Sequence, residues 1–270
     1  MIDLHCHLLP GIDDGSPDDA TSIGMARIAV ADGIRTTACT PHIFPGFYEN
    51  DANGIRARVA ALQGKLDAAG IALTLTCGAD AHLTPELLDR IKTGTAPTLH
   101  AGRYFLLEPS HQVAPPRFAE SVIDFIAAGF VPVITHPERL TWIGDHYRVF
   151  ESLARGGAWI QVTSGSLTGR FGSTAQYWAE RLLDDGIVHL LATDAHSVKW
   201  RPPLLAEGME AAEKWVGVAE AKRLVFDRPQ AILDNCSPAE VSPVPAQSPA
   251  GQRPQSQGIW AKLTGLRARF

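Results

Sequence analysis

Short apolar runs of strand length alternate along this chain with longer stretches in which apolar residues recur with the period of a helix. The predicted strands cover residues 2–5, 36–40, 73–78, 104–107, 131–135, 159–162 and 188–193. The predicted helices lie between them, at residues 19–32, 55–69, 118–128, 147–155 and 174–184. Strands that alternate with helices in this way predict an α/β fold with a parallel sheet and helices outside it.

A glycine follows each predicted helix, at the position where a left-handed residue ends many helices. These glycines are Gly33, Gly70, Gly129, Gly157 and Gly186. The seven strand–helix units contain no dinucleotide-type glycine fingerprint. We therefore expect a distorted (β/α)7 TIM-like barrel, and an open doubly wound sheet remains the alternative.

Composition narrows the class of protein further. The chain has 270 residues, of which 45% are hydrophobic and 20% are charged, as in ordinary globular proteins. A net charge of −5 gives no reason to expect nucleic-acid binding. No apolar run approaches the ~20 residues that span a bilayer, and no basic leader precedes the first strand, so no secretory signal is expected. The four cysteines are widely spaced, which predicts reduced thiols in a cytoplasmic protein.

The composition changes after Cys236, which predicts that the folded domain covers residues 1–236. Residues 237–258 are rich in Pro, Ser, Gln and Ala, and they predict a flexible linker. Residues 259–270 form a short basic amphipathic segment with apolar residues such as Trp260 and Phe270 among Lys262, Arg267 and Arg269. This tail could fray, dock on its own domain, or contact a partner or an anionic membrane surface.

Histidines and carboxylates stand at or just after the C-terminal ends of six of the seven predicted strands. In a β/α barrel the active site is built at that end, so these side chains should meet at one mouth. Imidazoles and carboxylates without thiolates favour manganese, iron, zinc or magnesium. The candidate ligands are too many for one tetrahedral zinc and suit two or three ions that share a bridging carboxylate. They are His5, His7, Asp14, His42, Asp80, Glu108, His136, Asp194 and His196.

The segments HCHLLPGIDDGS, TPH, HPER and ATDAH, together with a strand-end acid, resemble the PHP (polymerase and histidinol phosphatase) superfamily. The PGIDDG loop and HPER are similar to its bacterial tyrosine-protein phosphatase branch, the CpsB/CapC-like enzymes of capsule and exopolysaccharide gene clusters. His-x-His and Asp-x-His alone would indicate only a metallohydrolase. The resemblance covers about residues 1–235 and excludes the tail.

This resemblance implies a PHP fold with three metal ions, commonly manganese, at the mouth of a distorted seven-unit barrel. One ion would be held by His5, His7, Asp194 and Glu108, with Glu108 bridging to a second ion that Asp80 and His136 complete. Asp14, His42 and His196 would hold the third ion. Asp80 departs from the Glu of many relatives, so its shorter side chain makes it the least secure ligand. His82 is expected at the edge of the site rather than on an ion.

The resemblance also implies the activity, a metal-dependent protein-tyrosine phosphatase acting on the tyrosine-rich tail of a bacterial autokinase. Arg139 and Arg201 would neutralise and orient the phosphate, and Asp14 and His42 are the other candidate catalytic residues. A tyrosine leaving group, with a pKa of ~10, needs little help from a general acid. No cysteine is followed by arginine at the spacing of cysteine phosphatases.

Several alternatives remain open at this stage. The enzyme could instead be a small-molecule phosphoesterase of the histidinol-phosphatase type, or the chain could be a non-catalytic scaffold that binds phosphotyrosine. Arg139 could form a salt bridge with Glu138 instead of binding substrate. The other histidines are expected to cap, pack or face solvent, and they are His100, His111, His146 and His189.

Overall fold

The computed structural model describes residues 1–245 of the chain. In that range all seven predicted strands are present, and two further short strands follow the second and third of them. The strands are β1 (Ile2–Cys6), β2 (Thr36–Cys39), β3 (His42–Ile43), β4 (Thr74–Cys77), β5 (Asp80–His82), β6 (Tyr104–Glu108), β7 (Val131–Thr135), β8 (Trp159–Thr163) and β9 (Leu190–Ala192).

Helices connect the strands as the periodicity predicts. They are α1 (Asp19–Ala31), α2 (Ala52–Ala68), α3 (Leu87–Lys92), α4 (Phe118–Ala127), α5 (Ile143–Arg155), α6 (Ser164–Leu167), α7 (Gly172–Asp184), α8 (Ala206–Lys222) and α9 (Arg228–Leu233). The five glycines predicted to end helices all have positive φ, between 65° and 109°. The periodicity predicts α1, α2, α4, α5 and α7 but not α3, α6, α8 and α9. The long helix α8 escapes prediction because its buried face consists mainly of small residues such as Gly208 and Ala212 and therefore lacks an apolar stripe.

Every strand pair is parallel, which confirms the predicted α/β class. One sheet has the order β1-β2-β4, and the other has the order β3-β5-β6-β7-β8-β9. The chain passes from the first sheet to the second at Pro41 and again at Gly78. Proline has no N–H to donate to a strand ladder, and a Cβ on Gly78 would lie 2.8 Å from the Leu99 side chain. The predicted strands end at these two positions, at residues 40 and 78, and the short strands β3 and β5 that follow them were not predicted.

The ends of the two sheets approach each other on the side opposite this crossing. The Asp194 N–H donates to the His5 carbonyl at 2.8 Å, and the His7 N–H donates to the Ala195 carbonyl at 2.9 Å. The segment that follows β9 therefore lies against β1. Both sheets thus present their C-terminal strand ends in one region.

Apolar side chains on alternate strand positions fill two separate cores. Phe105 and Leu107 of β6 pack in the larger core, which also contains buried residues of the helices, whereas Tyr104 and Leu106 pack in a smaller core. Cys6 and Cys39 are buried in the larger core. All four cysteines are free thiols. The dense packing on both faces fixes the strand ends that carry the candidate ligands.

Residues 237–244 pack against the domain, although their composition belongs to the predicted linker. Pro238–Glu240 form a 3-10 turn that Ser237 caps. Arg228 is 1% exposed; its guanidinium pairs with Glu220 at 2.7 Å and donates to the carbonyls of Ser242 and Pro243. The predicted linker beyond residue 245 and the basic tail lie outside the described residues. Among residues 1–245, no helix is both long and apolar enough to cross a membrane.

Candidate metal centre

The structure brings all nine predicted ligands together, at or beyond the C-terminal ends of β1, β2, β4, β6, β7 and β9. They come from β1, β3, β5 and β6 and from the segments that follow β1, β7 and β9. Most of them are buried, whereas Asp14 keeps half of its side chain exposed on the open side of the cluster. The described part of the chain contains five groups of possible ligands that share residues, and within each group the ligand atoms lie within 4.8 Å of one another.

The most buried group surrounds the Nε2 atom of His5. This atom lies 3.3 Å from His7 Nε2, from Asp80 Oδ2 and from Asp194 Oδ1. The Nδ1 atom of His5 bonds to Gln161 at 3.0 Å, and the Nδ1 atom of His7 bonds to Asp13 at 2.8 Å. Both rings are therefore held from behind with Nε2 directed inward, which is the usual arrangement of metal-binding histidines.

A second group lies on the open side. Asp14 Oδ1 is 3.4 Å from the Nε2 atoms of both His42 and His196. The ring of His196 lies 3.9 Å from that of His7, so this group adjoins the buried one. The three residues that the resemblance assigns to a third ion are therefore close together.

Glu108 belongs to two further groups. Its Oε2 atom lies 3.3 Å from His42 Nδ1, and its Oε1 atom lies 3.4 Å from His111 Nε2. Its groups contain His42 with Asp80, and His111 with His136. The resemblance instead joins Glu108 to His5 and His7 around the first ion. In the described residues Glu108 instead lies beside His136 and Asp80, which the resemblance assigns to the second ion, and His42, which it assigns to the third.

Asp80 lies at the middle of the cluster in spite of its short side chain. Its Oδ2 atom is 3.3 Å from His5, 3.6 Å from His42 and 3.9 Å from His136. The carboxylate is fully buried, and Oδ2 has no hydrogen-bond donor. A buried carboxylate oxygen without a donor is unfavourable unless a cation is near.

The donors present fit divalent cations. Two ligands on one ion, each at ~2.1 Å, lie about 3.0–3.4 Å apart in octahedral or tetrahedral geometry, and the shortest contacts of the cluster are 3.3–3.4 Å. Besides Asp80 Oδ2, the Nδ1 atoms of His42 and His136 are buried without a hydrogen bond. Nitrogen and carboxylate donors of this kind suit manganese, iron, zinc or magnesium.

The electrostatics of the cluster also favour added positive charge. Burial would lower the pKa of His5, yet Asp80 and Asp194 raise it to about 9. Burial opposes protonation of His42 as well, but Glu108 and Asp80 raise its pKa to about 10. The carboxylates therefore attract protons that a metal ion would displace.

Two of the other histidines are neutral near pH 7. Burial, together with the charge of Arg139, lowers the pKa of His136 to about 4. Burial and the neighbouring His7 lower the pKa of His196 to about 4. A neutral imidazole is the form that binds a metal ion, so these two ligands need lose no proton.

Arg139 and Arg201 converge on one oxygen of Asp194. Each guanidinium donates to Asp194 Oδ2. Burial would raise the pKa of Asp194, but His5 and the two arginines hold it well below its usual range. The ring of Phe171 lies 4.4 Å from the guanidinium carbon of Arg139 and 5.7 Å from that of Arg201, so it packs against both.

The predicted alternative for Arg139, a salt bridge with Glu138, is not what the structure shows. Glu138 is buried and accepts hydrogen bonds from the Thr163 N–H at 2.9 Å and the Ser166 hydroxyl at 2.8 Å. Both bonds are accepted by Oε1, and Oε2 is buried without a hydrogen-bond partner. Glu138 thus bonds to β8 and α6, whereas Arg139 donates to Asp194.

Asp3 links β1 to Thr193, the residue that follows β9. Its side chain is fully buried and accepts from the Thr193 N–H at 3.0 Å, the Thr193 hydroxyl at 2.5 Å and the His5 N–H at 3.3 Å. Burial, partly offset by these hydrogen bonds, raises the pKa of Asp3 to about 6. Asp3 thus holds the backbone of β1, which carries His5, against the segment after β9, which carries Asp194.

Two residues of the site were missed in the sequence. His111 was expected to cap, pack or face solvent, but it contacts Glu108 and is grouped with His136. It lies in a loop rather than at a strand end, so no periodic signal marked it. Asp13 holds the His7 ring and accepts from the His42 N–H at 3.1 Å. Its place beside Asp14 in the PGIDDG loop was the available signal.

The remaining histidines lie where they were expected. His82 is at the edge of the cluster, 3.7 Å from Glu108 Oε2, and stacks on Phe44 with ring centroids 3.9 Å apart. The other three pack away from the centre, against Thr76, Trp142 and Trp159 respectively, and are His100, His146 and His189.

Comparison with known proteins agrees with this arrangement. A sequence model of the family described as "Capsular polysaccharide synthesis, CpsB/CapC" matches residues 1–234. The chain belongs to the CpsB/CapC family. Among CpsB/CapC-type relatives, it is 36% identical over 237 residues to the tyrosine-protein phosphatase YwqE of Bacillus subtilis, covering 87% of this chain and 92% of YwqE. It is 26% identical over 238 residues to the tyrosine-protein phosphatase CpsB of Streptococcus pneumoniae, covering 86% and 98%.

Solved structures give the same assignment. A structure from work on YwqE of Bacillus subtilis and CpsB of Streptococcus pneumoniae, described as unique metal-dependent tyrosine phosphatases, has a TM-score of 0.86 and 33% identity. It covers 92% of this CpsB/CapC chain and 99% of its own. A histidinol phosphate phosphatase from Lactococcus lactis has a TM-score of 0.54 at 13% identity, over 82% of this chain and 94% of its own, which is a likeness of fold alone.

Proposed function

We propose that this CpsB/CapC-family chain is a metal-dependent protein-tyrosine phosphatase. The observation that carries the proposal is the convergence of histidines, carboxylates and two arginines at one strand-end mouth. The cluster supplies ligands for divalent ions, and the arginines supply charge for a phosphate. The proposal is supported by relatives that are named tyrosine-protein phosphatases.

The proposal assigns the ligands to two or three divalent ions. His5, His7 and Asp194 would hold the first ion, Asp80, Glu108 and His136 the second, and Asp14, His42 and His196 the third. Glu108, which the resemblance assigns to the first ion, is placed with the second because it is grouped with Asp80 and with His136. Manganese is the proposed metal, and iron, zinc or magnesium are alternatives that the same donors accept. Bound ions of this kind neutralise phosphate oxygens and make water a stronger nucleophile.

The residues of this chain do the rest of the chemistry in the proposal. Arg139 and Arg201 are proposed to bind the outer phosphate oxygens, since both guanidinium groups already point at the centre and Phe171 holds them there. Asp14 and His42 line the open side and are the other proposed catalytic residues. Since phenolate has a conjugate pKa of ~10, it can leave without a strong general acid, whereas a serine alkoxide is a much poorer leaving group.

The proposal extends to the fold and the setting of the enzyme. Residues 1–236 are proposed to form a distorted (β/α)7 PHP barrel, supported by the hydrogen bonds between β1 and the segment after β9. Four free cysteines support a reducing, cytoplasmic location. The proposed substrate is the phosphotyrosine tail of an autokinase of capsule or exopolysaccharide synthesis. The basic residues 259–270 are proposed to make a peripheral contact with a membrane surface.

The test is phosphate release from matched phosphotyrosine and phosphoserine peptides after chelation and after re-addition of manganese, zinc or magnesium. We expect release from phosphotyrosine alone, with manganese most effective. His136→Ala should abolish it without unfolding the protein, because His136 is a proposed ligand. The control His146→Ala removes an exposed histidine of α5 that packs against Trp142 outside the centre. Full activity of His136→Ala with metal present would contradict the proposed site.

A further inference from the structure

The loop that follows β3 carries three aromatic side chains at the edge of the metal centre. Phe44 and Tyr48 close it by exchanging backbone hydrogen bonds of 3.0 and 2.7 Å. The ring of Phe44 stacks on His82 and that of Tyr48 stacks on His42, with centroids 3.9 and 5.6 Å apart. The loop is therefore fixed to the cluster by two ring contacts.

Phe47, at the tip of this loop, has no comparable cover. The residue is 74% exposed, and its single ring–ring contact within residues 1–245 is with Phe44, at 4.7 Å between centroids. The base of the loop is held by Asn50, whose amide donates to the carbonyls of His42 and Ile12 at 2.9 and 3.0 Å. Phe47 is thus an exposed aromatic residue on a rigid support, which lowers the entropy lost when it binds a partner.

A second loop, after β9, is likewise closed by hydrogen bonds and likewise carries an exposed aromatic side chain. The His196 and Ser197 N–H groups both donate to the Arg201 carbonyl, at 2.9 and 3.2 Å. The Ser197 hydroxyl accepts from the Trp200 and Arg201 N–H groups at 3.1 and 3.0 Å. The closed loop turns Arg201 inward, to Asp194, and leaves Trp200 outward with 85% of its surface exposed.

The two loops lie beside the same opening. They follow His42 and His196, whose rings are 6.3 Å apart and which share the half-exposed Asp14 as a neighbour. Other exposed apolar side chains, such as Ile123 and Val218, stand on the outer helices α4 and α8, where scattered apolar residues are normal. Rigid, exposed aromatic residues beside a site are instead typical binding anchors.

We infer that Phe47 and Trp200 are two anchors that bind the polypeptide on either side of the reacting phosphotyrosine. The inference rests on the proposed function and adds its specificity: each anchor takes an apolar or aromatic side chain that flanks the phosphorylated residue. A ring presented on a fixed loop stacks well on another ring. Asp14 and the net charge of −5 disfavour an anionic lipid surface as the occupant.

The test compares two phosphotyrosine peptides that differ only in the flanking residues, phenylalanine in one and glycine in the other. We expect the wild-type enzyme to prefer the phenylalanine peptide by about tenfold in kcat/KM, through a lower KM. Phe47→Ala and Trp200→Ala should each remove most of this preference and leave kcat on the peptide little changed. Ile123→Ala, which removes an exposed apolar residue of α4, should keep the preference in full.

A binding measurement separates this inference from the proposed function. Peptides that carry a non-hydrolysable phosphonate analogue of phosphotyrosine are titrated into the metal-loaded wild type and variants. If the wild type hydrolyses neither peptide, the proposed function fails, yet weaker phosphonate binding by both variants still supports the anchors. Equal affinity of the wild type for both peptides, or variants that keep the preference, overturns the inference. Vesicle binding lost in the variants, with peptide KM unchanged, overturns it in favour of a membrane surface.

Discussion

Replacement of Asp3 by Asn should stabilise the metal-free protein, and by an amount that grows with pH. Burial raises the pKa of this carboxyl from 3.8 to about 6 in the folded state. Below pH 3.8 the carboxyl is protonated in both folded and unfolded chains, so it contributes no penalty. As the pH rises from 3.8 to about 6, the unfolded chain ionises while the folded chain still holds the proton, so stability falls, and the loss is complete once the pH has passed the folded pKa of about 6.

The size of the effect follows from the shift. At about 1.4 kcal/mol per pKa unit, a rise from 3.8 to about 6 corresponds to about 3 kcal/mol at pH 7 and above. Asn keeps an acceptor for the Thr193 and His5 N–H groups, and the Thr193 hydroxyl can rotate to accept from the new amide. Asp3→Asn therefore removes the charge and retains the hydrogen bonds.

The assay is urea unfolding of the chelated wild type and variant from pH 4 to pH 8. Because all other titrating groups are common to both proteins, the difference in free energy of unfolding isolates Asp3. We expect this difference to rise by about 2.5 kcal/mol across the range, since a small part of the penalty is already present at pH 4, and the exposed Asp67→Asn control on α2 to show no such rise. A difference that stays constant with pH would refute the assignment of a buried, destabilising charge to Asp3.

Three further perturbations follow from the same structure. Phe171→Leu should reduce kcat/KM on aryl phosphates by about three- to tenfold, since it removes a ring that holds two guanidinium groups; unchanged kinetics would exclude this positioning role. Asp80→Glu should lower the stability of the chelated protein by about 1–3 kcal/mol, because the extra methylene enters a fully buried site; calorimetry that finds no loss would show that the site has spare room. A chain that ends after residue 245 should keep the melting temperature of the full chain. A chain that ends after Cys236 should melt several degrees lower, because Arg228 loses two carbonyl partners. Equal melting temperatures of the two shortened chains would contradict this.

The strands were predictable because their apolar runs are buried on both faces, and the helix ends were predictable because glycine marks them. The predicted strands end before Pro41 and at Gly78, as in the structure, but the short strands β3 and β5 that follow were not predicted, because two or three residues are too few to show an alternating pattern. Glycine is needed at position 78 because a Cβ there would clash with the Leu99 side chain. Leu99 is distant in sequence, so the local pattern of residues does not predict this contact. The helix α8 was missed because its buried face is made of small residues.

The site was predictable where it depends on strand ends. His5, Asp80 and Asp194 stand at or just beyond the C-terminal ends of β1, β4 and β9, which parallel strands bring to one region, so their meeting could be inferred from the alternation of strands and helices. The place of His111 depends on the path of a loop, and the partner of Arg139 depends on which carboxylate faces it in space. Neither is written in local sequence.

The seam between the two sheets passes through the candidate metal centre. One sheet supplies His5, and the other supplies Asp80 and Glu108, so ions held between them would act as cross-links between separate halves of the structure. A ligand that binds the folded chain alone adds its binding free energy to stability. Metal supply would then set the lifetime of this protein as well as its activity, and a cell that withholds the metal would remove the protein through unfolding and proteolysis.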